Sequence, residues 1–509
     1  MKRSLLLCVL SLACTFVFGG EIIVREGESV HDALRQAREW RRTDDPRCEG
    51  GINITLEAGR DYMNEPLFLR PEDSGTAASP TTIRGRGEAI ICGDPRRRHS
   101  QLWPREGMEH ILDFNTKERT ITFAVPDSLP LPSHRLEMVV HQRWAIAILR
   151  VKEMRVEGGI AVASFEEPES RLEFEHPWPQ PVVDGEWSRS ASPLRSSKNS
   201  SFLLRTTEQR EGTEQLVVLD GASYVTFEGI TFENTCWNRP LHRGHVTLQG
   251  GFPLLDAYKL KEKEGLPWDS GLENQAWVER PVSAVSVSNA CHVDFTDCHF
   301  RHLAATALDY VDGMSDCVIA DNRFEDIGGT AIMAGSFAES PREVHRPYED
   351  LARRCQRLRI ERNTIHDAAN EDWGAVAIGC GYVRDVTIAG NVVSHVNYSG
   401  ICIGWGWTPH YTGMENNHIV GNKVSDYARQ LYDAGGIYTL SNQPHSSIRD
   451  NDISQPAKAP YATNDRAFCI YLDARTDGFT IENNKTGGRL IRRDEIGDNH
   501  PGPMLIFKQ

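Results

Sequence analysis

Long apolar stretches are scarce in this chain. After the first twenty residues no run of about 18 apolar residues occurs, so the sequence predicts no membrane span. Basic residues are in deficit, with 56 lysines and arginines against 71 aspartates and glutamates, and the formal net charge is −15 at pH 7. This balance disfavours nucleic acid and anionic membranes as partners, although one local arginine cluster would suffice to bind an acidic sugar.

Several chemical signatures are absent as well. The sequence has no CxxC pair and no His/Cys cluster with zinc spacing, so it predicts no structural metal. It also lacks a serine nucleophile motif, a phosphate loop and a nucleotide fingerprint followed by a helix, so we expect no cofactor. Helical periodicity does not extend beyond Arg42, which disfavours an α/β sheet or a helical repeat.

The first twenty residues have the layout of a secretory signal peptide. Lys2 and Arg3 precede an apolar run that reaches Phe18, and two glycines follow it. We therefore expect residues 1–20 to be cleaved and the protein to be exported, either periplasmic or extracellular, with a lipoprotein start at Cys14 as the alternative. Loss of Lys2 and Arg3 would change the net charge from −15 to −17.

Ten cysteines lie beyond this segment, and several occur inside apolar strand sequences. A thiol in such a place behaves as a small hydrophobic group. Export would permit disulfides. We nevertheless predict buried thiols in preference to a disulfide framework.

A short phrase recurs in the C-terminal half of the chain. It reads x-x-Ile/Val-x-x-Asn, with an apolar residue two places further on, and its asparagines are Asn363, Asn391, Asn422, Asn451 and Asn484. Their spacings of 28, 31, 29 and 33 residues are typical of a repeat whose units stack around one core. Short apolar strands lie between the phrases, so we predict an all-β parallel solenoid in which the asparagines form a hydrogen-bonded ladder.

The distribution of this phrase predicts the organisation of the chain. Residues 21–102 form an N-terminal cap and the first coils, and the helix predicted from Ser29 to Arg42 covers the open end of the solenoid. The phrase vanishes in residues 103–215, where short strands rich in Pro, Ser and charge predict an inserted β subdomain. Residues 216–509 then form the main β-helix.

Two aspartates interrupt the repeat pattern. The coils are aligned on an inward apolar column that we take as Val376, Ile401, Ile437 and Ile470. Asp433 then falls at the turn before its strand, as does Asp372 two rungs away, whereas Asp473 points outward on the neighbouring coil. Rungs lie about 4.8 Å apart, and the carboxyls of glycosidases are separated by about 5 to 5.5 Å for retention or about 6.5 to 9.5 Å for inversion. The alternative is that these aspartates are structural.

Glycoside cleavage requires one protonated and one ionised carboxyl. Arg475, two residues after Asp473, would favour the ionised form of that aspartate, so we expect Asp433 to be the acid. Glycines 435 and 436 would let a substrate approach the backbone closely.

Aromatic side chains near these coils offer the flat apolar faces that suit sugar rings, although indoles can equally cover the seam of the tube. The candidate substrate-binding residues are Trp405, Trp407, Tyr438, Tyr471, Trp373, His410, Arg475 and Arg466.

Several longer motifs resemble those of a known family. YSGICIGWGW, DAGGIYTLSNQ and YLDARTDGFTIENN, with RPEDSGTAASPTTIRG and WNRPLHRGHVTLQGGF earlier, are similar to the right-handed parallel β-helix enzymes of glycoside hydrolase family 141. The resemblance implies an exported bacterial enzyme that acts on plant polysaccharide, with α-L-fucosidase and xylanase activities in the family. It also implies two catalytic aspartates, which fall on Asp433 of DAGGIY and Asp473 of YLD. The family's Gly-Glu-Trp-Tyr segment has only GEWS, residues 185–188, as its counterpart.

The prediction is therefore an exported glycoside hydrolase that cleaves a plant or algal oligo- or polysaccharide. One alternative is a polysaccharide lyase, in which Arg466 and Arg475 neutralise a uronate or Asp372 and Asp433 hold calcium. The other is a non-catalytic carbohydrate-binding solenoid. The sequence does not predict the oligomeric state.

Overall fold

The structure is a computed structural model. It describes residues 19–93, 102–103, 109–125, 136–175, 201–206, 212–262, 272–339, 342–343, 350–407, 411–459, 466–487, 491–493 and 506–508. All of the predicted signal peptide before residue 19, the GEWS segment and His410 lie outside the described residues.

The chain forms the predicted right-handed parallel β-helix, and this β-helix has three faces. The strands of the first face are Gly20–Val24, Ile52–Leu56, Val293–Thr296, Ser315–Ala320, Cys355–Glu361, Val383–Arg384, Thr387–Ala389, His418–Val420, Asn442–Arg449, Asp477–Glu482 and Ile506–Lys508. Two long strands, Thr81–Cys92 and Val225–Glu233, continue from the first face into the second.

The remaining strands of the second face are Gly59–Tyr62, His299–Leu303, Arg323–Ile327, Thr364–Ala368, Val392–Val396, Lys423–Ser425, Asp452–Ile453 and Lys485–Thr486. Those of the third face are Leu67–Leu69, Val217–Asp220, Ser283–Ser288, Thr306–Tyr310, Ile332–Ala334, Ile378–Cys380, Ile401–Ile403, Ala434–Thr439, Ala467–Leu472 and Ile491–Arg493. Every pairing within these faces is parallel, which leaves one continuous apolar core inside the tube.

The predicted asparagine ladder is confirmed. The side-chain Oδ1 of Asn391 accepts from both the backbone N and the Nδ2 of Asn363, at 2.9 and 3.0 Å, and its own Nδ2 donates to Asn422 at 2.9 Å. The same pattern runs from Asn322 to Asn484. These side chains satisfy backbone groups that the turns would otherwise bury unpaired.

The predicted capping helix is Val30–Arg42, with Ser29 as its N-cap. Its apolar face packs on the first two strands of the first face and joins the core of the tube; the buried residues are Val30, Ala33, Leu34, Ala37 and Trp40. Arg38 donates to both carboxylate oxygens of Asp73, at 2.8 and 2.7 Å, which fixes the helix on the first coil. The open end of the tube is thereby covered.

An antiparallel sheet lies outside the tube. Its strands are Leu102–Trp103, Glu109–Asn115, Thr120–Ala124, Leu136–His141, Ile146–Glu157, Ile160–Phe165, Ser201–Thr206 and His245–Val246, and the helix Glu169–Phe174 packs against it. A second small sheet comprises Leu254–Glu262, Leu272–Val278, Ala338–Glu339 and Arg342–Glu343. Short helices lie at Arg239–Arg243, Pro46–Cys48, Pro71–Asp73, Gln249–Gly251 and Leu351–Arg353.

The prediction of buried thiols is confirmed at Cys298, Cys317, Cys355 and Cys380, which are free and buried. Burial raises the pKa of Cys298 and of Cys355 to about 12, so both stay protonated. Within the described part of the chain, no helix is long and apolar enough to cross a membrane.

Candidate active site

The alignment of coils that selected the aspartates is correct from Ile401 onward but wrong in the coil before. Ile401 pairs with Ile437, and Ile437 with Ile470, as predicted. Its partner in the preceding coil is Ile378, however, not Val376. Asp372 starts an additional tight turn, in which its carbonyl accepts from Ala375 N at 3.1 Å, and this turn shifts the register by two residues. Asp372 therefore does not occupy the position equivalent to Asp433.

Asp433 and Asp473 are linked to each other's strand by tyrosines. Tyr438 and Tyr471 are register partners on the third face, and their rings meet edge to face with centroids 5.2 Å apart. The hydroxyl of Tyr471 donates to Asp433 Oδ1 at 3.0 Å, and the hydroxyl of Tyr438 donates to Asp473 Oδ2. Each aspartate is thus held by the tyrosine of the neighbouring rung. Both tyrosines point outward from the tube, as the alternation predicted.

A guanidinium lies close to the carboxylate of Asp433. Arg466, the register neighbour of Asp433, brings its Nη1 to 3.6 Å from Asp433 Oδ2, with the two side chains 23% and 15% exposed. A guanidinium this close favours the ionised form of Asp433. Burial raises the pKa of Tyr438 well above its ordinary value, and the nearby charge of Asp473 adds to the effect, so this phenol remains a proton donor.

The backbone of Asp433 is fixed in a left-handed conformation, with φ of 64°. Its carbonyl accepts from the hydroxyl of Tyr398 at 3.0 Å, and Gln249 Nε2 donates to the same hydroxyl at 3.2 Å. On the other side, Gly435 N donates to Ser399 Oγ at 3.1 Å. Tyr398 and Gln249 were not predicted from the sequence. The one signal for Tyr398 was its place directly after Asn397, the residue that aligns with Asp433.

The glycines after Asp433 have a different role from the one expected. A Cβ on Gly435 would lie 2.6 Å from the carbonyl oxygen of Ile437 and 3.1 Å from Tyr471 Cβ. One on Gly436 would lie 2.6 Å from Ile453 Cγ2. These positions are glycine because the protein itself fills the space, not to admit substrate.

A hairpin of the antiparallel sheet contacts the segment before Asp433. Its turn connects Leu136–His141 to Ile146–Glu157. His141 Nε2 lies 2.9 Å from the carbonyl oxygen of Gln430, and Tyr432 N donates to the carbonyl of Arg143 at 3.2 Å. Burial lowers the pKa of His141 to about 4, so the imidazole is neutral and donates this bond. The hairpin thereby helps to position the Asp433 turn.

Gln142, in the turn of the hairpin, contacts the buried carboxyl group of Glu173. Gln142 Nε2 is 2.7 and 2.8 Å from the two carboxyl oxygens of Glu173, while Gln142 Oε1 has no hydrogen-bond partner among the described residues. Burial raises the pKa of Glu173 to about 8. A protonated Glu173 can donate to the amide oxygen of Gln142 once the amide is rotated by 180°, which gives that oxygen a hydrogen-bond partner.

The three candidate tryptophans differ in how deeply they are buried. Trp405 is buried, at 3% exposed, and packs against Phe252, Phe337 and Trp407. Trp407 and Trp373 are half-buried. Trp405 thus supports the surface instead of forming it.

Asp372 lies apart from the aspartate pair, in the wall of a cavity of about 300 Å³. Its Oδ2 is 2.8 Å from His245 Nε2, and its Oδ1 accepts from Gly374 N at 3.0 Å. The cavity also contains Trp237, whose ring meets His245 edge to face with centroids 4.6 Å apart. No group of three or more His, Cys, Asp or Glu side chains suited to a metal ion occurs in the part of the chain that the structure describes.

Comparison with known proteins agrees with this architecture. A family model described as the GH141 insertion domain matches residues 94–207, and one described as a right handed beta helix region matches residues 351–493. A solved glycoside hydrolase shares 31% identity with this chain, with 96% of each chain covered and a TM-score of 0.84. The chain belongs to the family 141-like glycoside hydrolases. The resemblance drawn from its motifs is therefore confirmed.

Other solved structures resemble this family 141-like glycoside hydrolase more distantly. A GH136 lacto-N-biosidase from Eubacterium ramulus has 9% identity over 96% of this chain and 67% of its own, with a TM-score of 0.40. A mannuronan C-5 epimerase module from Azotobacter vinelandii has 9% identity over 94% and 96% of the two chains, with a TM-score of 0.37. No curated protein matches the chain. Membership of the glycoside hydrolases sets aside the lyase and the non-catalytic solenoid as leading interpretations.

Proposed function

We propose that this glycoside hydrolase cleaves a glycosidic bond in a plant or algal polysaccharide, with a fucosidase-like or xylanase-like specificity, and that Asp433 and Asp473 are its catalytic pair. The crossed hydrogen bonds from Tyr438 and Tyr471 carry this proposal. They hold two carboxylates on neighbouring rungs with restricted rotamers, and such preorganisation is what a two-carboxyl mechanism requires. The motif resemblance selects the same two residues.

The surroundings support a division of roles that is the reverse of the one expected from the sequence. Arg466 faces Asp433, so we assign Asp433 as the ionised group that acts as nucleophile or activates water. Asp473 then donates a proton to the leaving oxygen. Both aspartates receive a tyrosine hydrogen bond, and the Arg466 guanidinium lies 3.6 Å from Asp433.

Two asparagine variants test this assignment on aryl glycosides with good and poor leaving groups. Asp433→Asn should lower turnover of every substrate by a factor of about 10³ or more, because no ionised group remains to form or activate the new bond. Asp473→Asn should lose turnover of poor leaving groups but keep most of it for an acidic phenol, which departs without protonation. Asp452→Asn, on an exposed part of the second face, is the matched control.

Thermal unfolding of each variant should stay close to that of the wild type. Full turnover in both site variants would refute the catalytic pair. The opposite leaving-group pattern would restore the roles expected from the sequence. Proton NMR of the first-formed product anomer then distinguishes retention from inversion.

The N-terminal twenty residues support export as part of this proposal. A periplasmic or extracellular enzyme would meet polysaccharide fragments directly. Mass spectrometry of the mature N-terminus from the source cell tests it, and an intact Met1 would contradict it.

A further inference from the structure

The cavity beside Asp372 lies on the same edge of the third face as Asp433. It is formed by the turns that precede the strands Thr306–Tyr310, Ile332–Ala334 and Ile378–Cys380, and is closed by the loop that carries Trp237 to Pro253. Asp433 precedes the strand Ala434–Thr439, two rungs beyond Ile378–Cys380, a distance of about 10 Å at 4.8 Å per rung. The cavity and the aspartate pair therefore share one side of the tube.

The loop also connects the two places directly. Gln249, which lies between His245 and Gly250 of the cavity wall, donates to Tyr398, and Tyr398 donates to the carbonyl of Asp433. Glycine is required at 251, where φ is 80° and a Cβ would lie 2.8 Å from Asp372 Oδ2. The wall is thus built to bring backbone close to a buried carboxylate.

The charged groups of the cavity wall compensate one another. Arg243 lies 3.2 Å from Glu279, and Arg239 lies 3.7 Å from the same carboxylate. Arg280 binds Asp309 through two bonds of 2.6 and 2.5 Å. A carboxylate ligand would therefore meet guanidinium groups that already have acidic partners, which removes the electrostatic reason for binding an anion.

Capacity for hydrogen bonding nevertheless remains in the wall. The side chain of Arg239 is 11% exposed, and its Nε has no hydrogen-bond partner among the described residues. Trp237 provides an aromatic surface next to these polar groups. Hydroxyl groups both donate and accept, so a polyhydroxylated neutral ring can bind paired acidic and basic groups at once, while its apolar face packs on an indole.

We infer that the cavity is a binding site for one neutral monosaccharide unit, and that this site is separate from the catalytic aspartates. The inference rests on the proposed function for the source of the ligand, a substrate chain that also reaches the aspartate pair. His245 and Asp372 would hold the sugar hydroxyls in this site, and neither would take part in bond cleavage.

The test is direct binding of monosaccharides to the full chain carrying Asp433→Asn and Asp473→Asn. L-fucose, D-xylose, D-galactose and D-glucuronate are titrated by calorimetry and by saturation-transfer NMR. At least one neutral sugar should bind saturably, and at least about tenfold more tightly than D-glucuronate. Ala305→Leu, which fills the cavity, should weaken that binding about tenfold or more, since Ala305 lines it. Ala389→Leu, on the first face, is the matched control and should bind as its parent does.

Arg239→Gln provides a second variant that adds no bulk to the cavity wall, in case the leucine variant does not fold. It should also weaken binding of the neutral sugar. Preference for glucuronate, absence of binding by all four sugars, or binding that neither variant changes would overturn the inference. The last result would place the sugar elsewhere and leave hydrolysis by the aspartate pair intact. Conversely, cavity binding together with full turnover by the single aspartate variants would remove the proposed catalytic pair and leave the cavity as a sugar site.

Discussion

The buried carboxyl of Glu173 makes the stability of the outer sheet depend on pH. Its pKa rises from 4.5 in the unfolded chain to about 8 in the folded protein because burial disfavours the charged form. Between these values the folded state binds more protons than the unfolded state, so stability must fall as pH rises. Each pH unit removes about 1.4 kcal/mol, so the loss between pH 5.5 and 7.5 is about 3 kcal/mol.

Replacing Glu173 with Gln should abolish this dependence. A glutamine has the same shape, stays neutral and can pair its amide with that of Gln142. Hydrogen exchange measured by mass spectrometry on peptides from residues 136–157 reports the local opening free energy at each pH. Relative to Glu173→Gln, the wild type should lose about 3 kcal/mol of opening free energy from pH 5.5 to 7.5.

Glu175→Gln is the matched control, because Glu175 follows the same helix but is exposed and paired with Arg119. Its curve should run parallel to that of the wild type. If the wild type and Glu173→Gln show the same pH dependence, Glu173 is ionised in the folded protein and the reasoning fails. A steeper loss in the glutamine variant would contradict it in sign.

Three further outcomes are expected. Asn391→Ala should lower the free energy of unfolding by about 2 to 4 kcal/mol, because it leaves buried ladder groups unsatisfied, whereas Asn64→Ala at an exposed position should change urea unfolding little. Tyr471→Phe should reduce kcat about tenfold and raise the acidic limb of the pH–kcat profile, since Asp433 loses a hydrogen bond that favours its ionised form; an unshifted limb would refute this. His141→Phe should reduce kcat by loosening the Asp433 turn while KM for a small aryl glycoside stays constant, and equal exchange rates in residues 426–434 of both proteins would exclude the effect.

The β-helix was predictable because the same sequence pattern recurs once in every coil. Asn391 and its equivalents occupy a fixed place in every repeat, and a single misread coil does not disturb the others. The same periodicity correctly predicted that Tyr438 and Tyr471 point outward. The alignment of the coils failed at Val376 because the turn that begins at Asp372 adds residues without adding a rung. The repeated pattern contains no sign of such an addition.

The contacts around the aspartates were less accessible from sequence. Arg475 is near Asp473 along the chain, but Arg466 reaches Asp433 because rungs, not sequence neighbours, are adjacent on a solenoid. His141 contacts a carbonyl 289 residues later in the chain, and nothing local in either segment indicates it. Periodicity identifies which residues of successive coils align. It does not identify which residues of the inserted sheet contact them.

The chain leaves the tube after Gly93 and returns to it at Thr213, almost at the same point. Thr81–Cys92 pairs rung to rung with Val225–Glu233, and a Cβ on Gly93 would lie 3.3 Å from the carbonyl oxygen of Thr213. Evolution can therefore exchange or remodel the intervening segment without shifting one coil. The hairpin that bears His141 would change with it, so the contacts of the Asp433 turn can change while the coils and the two aspartates stay in place.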